Sequence, residues 1–320
     1  MTKKLSRIIG GGFLAMTLFI SPVNAADLDF NVDNAIVQYT QLIQREPNNA
    51  VAYHNRGVSY KLKQQYDKAL ADLNKAIQID PNYADAYNNR GTVYEAMGKQ
   101  DEAFRDYNRA VELKPDDVVA LNNRGLLFGY KASYERGAGR ENVADDLFNK
   151  AIKDFDRAIS INRNDAKSYQ NRGTVLSWLG EDDKAIDDLT RAMDLGIKTA
   201  EIYATRGGSY WMKEDYDSAL KDFDKAISIN PKYGDAYNNR GSVYLYKEEY
   251  RRAIADFDKA IELGTNLTSA FTNRGICFHQ LGEYDAAIDS YTRALSINQN
   301  FQPAIKSMKA AYEAKAKAGR

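Results

Sequence analysis

The sequence predicts an all-α protein, an α-solenoid of antiparallel helix pairs that stack along the chain. Three observations predict it. The tripeptide Asn-Arg-Gly recurs at a nearly constant interval, glycine and alanine return at fixed places within that interval, and the 320 residues include only six prolines. Each helix pair of such a repeat cannot bury its apolar face alone, so the core forms only when neighbouring pairs stack.

The interval between tripeptides is 34 residues, except for one interval of 48. This period fits a helix–turn–helix unit. Thr205-Arg206-Gly207 fills the one place where the tripeptide is altered. The sequence therefore contains an array over 50–301, with seven units at 50–83, 84–117, 118–165, 166–199, 200–233, 234–267 and 268–301.

Each unit can be numbered from position 1 to position 34, with a first helix (helix A) and a second helix (helix B). Position 8 is glycine in every unit, positions 4 and 11 are large and mostly aromatic, and positions 20 and 27 are alanine. Positions 4 and 11 lie two turns apart on one face of helix A. We expect the glycine to let helix B approach closely, with the alanines as the matching small surface.

Both ends of the array predict half-units. Residues 26–49 contain a lone helix B, and residues 302–320 contain a lone helix A. Lys309 stands in this last helix where a full unit has glycine. A lysine there would keep a further helix B away, so the last helix is a polar terminal cap of the kind that solenoids need for solubility.

These positions resemble the tetratricopeptide-repeat (TPR) family over about residues 30–313. Prolines that close units agree with the family pattern, whereas position 7 is arginine here and leucine in most members. The resemblance implies a right-handed superhelix. It also implies that the protein binds a partner in a concave groove, lined by positions 2, 5, 6, 9, 12 and 13 of helix A.

Position 7 is arginine in all seven units, and position 23 is aspartate in six, with Ser290 in the seventh. A half-buried guanidinium needs a carboxylate, from its own unit or from the preceding one. The cap helix has Met308 at position 7, beside the unit that lacks the aspartate, and this joint loss favours pairing between units. The predicted inter-unit structural pairs are Asp72–Arg90, Asp106–Arg124, Asp154–Arg172, Asp188–Arg206, Asp222–Arg240 and Asp256–Arg274.

The third unit carries 14 additional residues, near 130–145. Shared between two antiparallel helices, they give about seven residues each, close to two turns, and simply lengthen the hairpin. The extension is either a tolerated insertion or a contact for a partner.

Asparagine occupies position 6 in six units. Its side chain offers both a donor and an acceptor, so a ladder of amides can bind a peptide backbone. Both tryptophans lie in adjacent units, and aromatics beside polar groups are typical binding anchors. The alternative is that the amides are tolerated polar residues and the rings pack between helices. The predicted binding residues are Asn55, Asn89, Asn122, Asn123, Asn171, Trp178, Trp211, Asn239, Tyr246 and Asn273.

Residues 1–25 have the layout of a secretory signal peptide, with three cations among the first seven residues, an apolar run over 8–20 and small residues ending at Ala25. The alternative is a membrane anchor, but an apolar run of 13 residues is short for a span. We expect an exported protein, periplasmic or else secreted, with no membrane span after cleavage.

The remaining chemistry argues against catalysis. Lys+Arg and Asp+Glu both count 44, so there is no basic excess for nucleic acid. The two histidines, His54 and His279, lie in the first and last units, and the single Cys277 occupies a core position. We expect no catalytic residues, no metal and no cofactor. The sequence predicts a non-enzymatic scaffold of the cell envelope that binds a peptide or protein; the alternative is a glycan- or lipid-binding accessory protein in envelope polysaccharide export or assembly.

Overall fold

The computed structural model describes residues 25–319, with side chains from residue 31 onward. The signal segment predicted at 1–25 therefore lies outside the described residues, apart from its last residue. The described residues form 16 α-helices and no β-strand, which confirms the all-α class. The helices are α1 (Ala25–Arg45), α2 (Ala50–Leu62), α3 (Tyr66–Ile79), α4 (Ala84–Ala96), α5 (Gln100–Leu113), α6 (Val118–Gly137), α7 (Glu141–Ile161), α8 (Ala166–Leu179), α9 (Asp182–Asp194), α10 (Ala200–Met212), α11 (Tyr216–Ile229), α12 (Gly234–Tyr246), α13 (Tyr250–Glu262), α14 (Leu267–Gln280), α15 (Tyr284–Ile297) and α16 (Gln302–Ala318).

The even-numbered helices from α2 to α14 are helices A, and the odd-numbered helices from α3 to α15 are helices B. The described chain divides into two compact bodies, and the boundary falls inside α8. We call residues 25–171 the N-terminal body and residues 172–319 the C-terminal body. In the first, α1 packs on α2; in the second, α16 packs on α15 and touches α14.

Local sequence explains where several helices begin and where the hairpins turn. Asn49 caps α2 by accepting a hydrogen bond from the backbone of Ala52 (2.9 Å), which satisfies one of the helix's free N–H groups. The turn between helices A and B places position 15 in the left-handed region. Gly98 adopts it with φ 74° at no steric cost, whereas Gln64 adopts it with φ 57°.

The glycine at position 8 faces a large side chain of helix B, in addition to the alanines that the sequence suggested as the matching surface. A Cβ at these glycines would lie between 2.5 and 3.0 Å from the side chain at position 24 of the same unit. A bulky residue of helix B therefore packs against the backbone of helix A at the glycine. Carbonyl oxygens of alanines at position 20 also lie close to the glycine. The position-24 residues, all buried, are Leu73, Tyr107, Phe155, Leu189, Phe223, Phe257 and Tyr291.

The predicted inter-unit Asp–Arg pairs are wrong, because each arginine pairs with the aspartate of its own unit. In every pair Nε and one terminal nitrogen donate to the two carboxylate oxygens, at distances between 2.6 and 2.9 Å. The observed pairs are Arg56–Asp72, Arg90–Asp106, Arg124–Asp154, Arg172–Asp188, Arg206–Asp222 and Arg240–Asp256.

Hairpin geometry explains the correction. In an antiparallel pair, residues equidistant from the turn face each other, and positions 7 and 23 both lie eight residues from position 15. In the seventh unit Nε alone of Arg274 donates to Ser290 Oγ (3.2 Å). Met308 of the cap helix contacts Thr292 at position 25 instead. Met308 replaces an arginine and Ser290 replaces an aspartate, but the two residues belong to different contacts. Ser290 accepts from Arg274 within the seventh unit, and Met308 contacts Thr292.

The connection between units is made by the other terminal nitrogen of the same arginines. It donates to position 25 of the preceding unit, as Arg90 does to Asn74 Oδ1 (2.7 Å) and Arg240 does to Asp224 Oδ1 (2.5 Å). A second set of contacts between units joins a lysine at position 14 to an aspartate at position 18, for example Lys131 and Asp101 (2.9 Å). These lysine pairs are exposed, so each contributes little to stability.

The lengthened third unit is a longer hairpin, with its additional residues divided between both helices. α6 has 20 residues and α7 has 21, whereas α4 and α5 have 13 and 14. The turn residue Gly139 has φ 77°. Arg124 and Asp154 each lie 15 residues from Gly139 and still pair, at 2.8 and 2.7 Å. The insertion has kept the two helices in register.

Candidate functional site

The predicted binding residues lie on the face of the A helices formed by positions 2, 5, 6, 9, 12 and 13, which we call the helix-A face. In the N-terminal body its asparagines bond to each other. The position-6 amide of each unit donates to the position-5 side chain of the preceding unit, and we call each such bond a rung. The rungs join Asn89 to His54 (3.0 Å), Asn123 to Asn88 (2.9 Å) and Asn171 to Asn122 (3.3 Å).

His54 acts as an acceptor in the first of these rungs. Its Nε2 accepts from Asn89, which leaves the proton on Nδ1, next to Asn55 Oδ1 at 3.0 Å. The hydroxyl of Tyr83 lies 3.3 Å from Nδ1. Burial lowers the pKa of His54, against smaller opposing effects from Asn55 and Asp85, and so favours the neutral ring that this network needs.

Asn122 and Asn171 were predicted to meet a ligand, and the structure places both side chains inside the protein. Each is only 5% exposed. The Asn122 amide donates to Ser168 Oγ (2.8 Å) and to Asp165 Oδ2 (3.1 Å), while its oxygen accepts from Asn171. These amides satisfy one another inside the protein, which is what buried polar groups require.

Two ionisable side chains complete the internal bonding of the N-terminal body. Lys61 donates to Asn89 Oδ1 (3.1 Å) and to Thr92 Oγ1 (3.0 Å), and burial lowers the pKa of its ammonium group. Glu95 accepts from the hydroxyl of Tyr107 (2.7 Å), and burial raises the pKa of this carboxyl. The helix-A face of this body is therefore a fixed hydrogen-bond network, and its asparagines stabilise the stack.

The helix-A face of the C-terminal body is different, because its rungs are open. Position 5 of the fifth unit is Ala204, which offers Asn239 no acceptor. Asn238 could accept from Asn273, but its Oδ1 is buried with no hydrogen-bond partner among the described residues. The half-buried side chains of Asn239 and Asn273 make no hydrogen bond within the described part of the chain. These two amides can therefore bond to a ligand without breaking an internal contact.

An aromatic cluster lies on the same body, at the turns between helices A and B. Trp211 contacts Tyr216 and Tyr246, with ring centroids 5.3 and 5.5 Å away, and the two tyrosine rings are 4.8 Å apart. Tyr246 is 51% exposed. Sequence reasoning missed Tyr216, which begins helix B at position 17, just after the turn that follows Trp211. Trp178 lies half-buried on α8.

Other kinds of site find little support in the part of the chain that the structure describes. No group of three or more His, Cys, Asp or Glu side chains within residues 25–319 is arranged to hold a metal ion. Cys277 is buried as predicted, and burial raises the pKa of its thiol to about 12, which keeps it protonated. Among the described helices, none combines the length and the apolar character that a membrane span needs.

Comparison with family models identifies the repeat. Models described as "Tetratricopeptide repeat" match residues 84–117, 200–233, 234–264 and 268–301, and a further one matches 38–71. A model described as "TPR repeat" matches residues 59–98. Together they cover more than half of the chain. No curated protein matches the sequence significantly.

Two solved structures share the fold over most of the chain. A chain of the APC/C hetero-tetramer Cut9–Hcn1 is 19% identical, with a TM-score of 0.67 over 88% of this chain. The present chain spans 52% of the length of that protein. A tetratricopeptide repeat protein from Parabacteroides merdae is 20% identical, with a TM-score of 0.58 over 86% of this chain and 98% of its own. At these identities the likeness concerns the fold alone.

Proposed function

The chain belongs to the tetratricopeptide-repeat family, whose members serve as protein-interaction scaffolds, and we propose that it is a non-enzymatic scaffold that binds a peptide or protein segment. The binding surface is the helix-A face of the C-terminal body. The observation that carries the proposal is the pair of free amides, Asn239 and Asn273, on a body that also exposes Tyr246.

Peptide chemistry suits this surface. A free asparagine side chain has an acceptor and two donors, which match the N–H and C=O groups of an extended backbone. Asn239 and Asn273 occupy the same position in consecutive units, so they repeat along the stack as backbone groups repeat along a peptide. Aromatic rings such as Trp211 and Tyr246 supply the apolar contact area on which interface affinity often depends.

The N-terminal body has a different part in the proposal. Its rungs occupy the amides that a ligand would need, so it acts as a support and contributes little to recognition. This division limits the predicted binding set to the residues of the C-terminal body, Trp178, Trp211, Asn239, Tyr246 and Asn273. It leaves Asn55, Asn89 and Asn123 as stabilising residues.

The test is selection of peptides from a random display library on the purified protein, followed by titration calorimetry of the peptides recovered. Replacing Asn239 and Asn273 together by alanine should weaken binding at least tenfold, because each lost hydrogen bond contributes about 1 kcal/mol. Asn149→Ala is the matched control, since Asn149 is an exposed asparagine on the outer surface of α7. It should bind as the unchanged protein does.

Other outcomes would overturn the proposal. Equal affinities in the double variant and the control would show that the amides do not contact the ligand. The alternative function predicts a different result: an envelope glycan would bind, its binding would be lost in Trp178→Ala, and peptide selection would recover nothing.

Location in the cell envelope is part of the same proposal, and it depends on the signal segment predicted over residues 1–25. Fractionation of cells that produce the full chain should recover a periplasmic protein with Ala26 at its N-terminus. A cytoplasmic protein that retains Met1 would contradict the envelope assignment and leave the scaffold assignment unaffected.

A further inference from the structure

An open cavity of about 520 Å³ lies beside the helices B of the C-terminal body. Met193 of α9 and Tyr203 of α10 give it an apolar wall, and side chains of α11 form most of the remainder. Its α10 residues stand at positions 4 and 7, so the cavity shares no position with the helix-A face. It is therefore a surface separate from the one that the proposed function uses.

Charged side chains line this cavity, and they differ in how they are compensated. Its two acids each form an ion pair with an arginine, at 2.8 and 2.5 Å. Lys221 and Lys225, by contrast, are exposed, and within residues 31–319 neither ammonium group forms an ion pair with a carboxylate. The two acid pairs are Asp222–Arg206 and Asp224–Arg240. The lysines are thus the charges of the cavity that a ligand can use.

Comparison with the other units shows why these lysines lack partners. Position 26 is a lysine or arginine in every unit, and in four other units its side chain pairs with an acid. The acids are Glu112 and Glu262 at position 29, Asp289 at position 22, and Asp116 at position 33 of the preceding unit. In the fifth unit those three places hold Ser228, Lys221 and Lys198. Lys225 therefore has no acid at any place from which other units compensate position 26.

We propose that this cavity binds an acidic peptide segment of a partner, with Lys221 and Lys225 holding its carboxylates. The proposal goes beyond the proposed function, because it assigns a second surface with its own ligand chemistry. Ammonium and carboxylate groups form charge-assisted hydrogen bonds, which are stronger than neutral ones. Met193 and the ring of Tyr203 provide apolar contact area for the rest of the segment.

The spacing of the two lysines fits an extended peptide. Lys221 and Lys225 are four residues apart on α11, so they lie about 6 Å apart along its axis. Alternate side chains of an extended chain point to the same side and are about 6.6 Å apart. Two acids separated by one residue therefore match the two ammonium groups. Their binding also offsets the repulsion between like charges one helical turn apart.

Fluorescence polarisation at low ionic strength tests the site on the full chain. The probe is a fluorescein-labelled octapeptide of alternating glutamate and serine, and the same peptide with glutamine in place of glutamate should not bind. Lys221→Gln/Lys225→Gln should weaken binding of the acidic peptide about tenfold, because two exposed ion pairs are lost. The matched control, Lys306→Gln/Lys309→Gln, removes the same charge from two exposed lysines of α16 and should bind as the unchanged protein does. Equal losses in the two variants, or equal binding of the neutral peptide, would overturn the proposal.

Ser228 allows a second test that leaves both lysines in place. Ser228→Glu restores the acid that position 29 holds in the second and sixth units, where it pairs with position 26 at 3.2 and 2.9 Å. The new carboxylate should occupy Lys225 and weaken binding about threefold, whereas Ser228→Gln should bind as the unchanged protein does. Position 228 is exposed, so both variants should keep the circular dichroism spectrum of the unchanged protein. Equal affinities in the two variants would refute a contact between Lys225 and the peptide.

Two further measurements test the ligand class and the independence of the site. Sodium phosphate that replaces chloride at constant ionic strength should leave the peptide bound. Displacement of the peptide by phosphate would show a site for a small anion and refute the peptide assignment. Asn239→Ala/Asn273→Ala should bind the acidic peptide as the unchanged protein does, since those amides lie on the helix-A face. A loss in that variant would place the acidic peptide on the helix-A face and refute the second surface.

Discussion

The arginine–aspartate pairs provide the sharpest test of how the units are held together. Arg90 contacts two residues that should contribute differently to stability. It donates to both oxygens of Asp106 in its own unit, at 2.7 and 2.6 Å, and to Asn74 of the preceding unit at 2.7 Å. Asp72, which the sequence pattern suggested as its partner, pairs with Arg56 instead.

The magnitudes follow from burial. The Asp106 side chain is 6% exposed and that of Arg90 is 18% exposed, so removing one partner leaves a largely buried charge. Such losses cost about 3–5 kcal/mol when burial is complete, and the exposure of Arg90 reduces this to roughly 2–4. In a double-mutant cycle, two charged residues in contact show an interaction free energy, which should be about 2 kcal/mol for Arg90 and Asp106. The effects of substituting Arg90 and Asp72 on the free energy of unfolding should instead be additive to within about 0.5 kcal/mol.

The assay is urea denaturation followed by circular dichroism, for Arg90→Met, Asp106→Asn, Asp72→Asn and the two double variants. Urea is uncharged, so it leaves the ion pairs unscreened. Repeat arrays depart from two-state unfolding, and all curves must be fitted together with a nearest-neighbour description. A coupling between Arg90 and Asp72 as large as that between Arg90 and Asp106 would refute the within-unit pairing.

Two further predictions concern Gly91 and Glu95 of the second unit, each with a comparison residue elsewhere in the chain. Gly91→Ala places a Cβ 2.6 Å from the buried ring of Tyr107, and overpacking of about 1–3 kcal/mol should outweigh the gain in helix propensity. Gly208→Ala, with open space around it, should instead stabilise by up to about 1 kcal/mol in the same denaturation assay, and a loss in both variants would contradict this. Burial raises the pKa of Glu95, so its folded-state contribution to stability is lost as pH rises through that raised pKa. Glu95→Gln should therefore melt higher than the unchanged protein at neutral pH and equally at strongly acid pH, while Glu313→Gln, at an exposed acid, should show no such trend.

The fold was predictable because the same sequence pattern recurs in every unit. Seven copies of one pattern show the period and the helix pairs, and the single long interval shows where the hairpin grows. A solenoid has few long-range choices, since each unit contacts only its neighbours. The same pattern could also have given the correct ion pairs. Arg124 and Asp154 are equidistant from the turn of the long hairpin, as positions 7 and 23 are in the other units, so hairpin geometry pairs them within each unit.

The contacts at position 24 were missed for a physical reason. The pattern at that position mixes leucine, phenylalanine and tyrosine, as Leu73, Phe155 and Tyr107 show. Its members share bulk but no residue type, so the position does not stand out beside an invariant glycine. Packing requires only that the volume fits, and several side chains meet that condition.

The binding face shows a deeper limit, because the same residue at the same position has two different roles. Asn123 and Asn239 both stand at position 6. Asn88 accepts from the first, while Ala204 leaves the second without a partner. Comparing the residues found at position 6 alone cannot distinguish these two roles. The role depends on whether the residue at position 5 of the preceding unit can accept a hydrogen bond. Once the rung geometry is known, the sequence answers that question. Hydrogen-bond capacity that the stack leaves unused is what remains for a ligand, and among the asparagines of the helix-A face it lies in the C-terminal body.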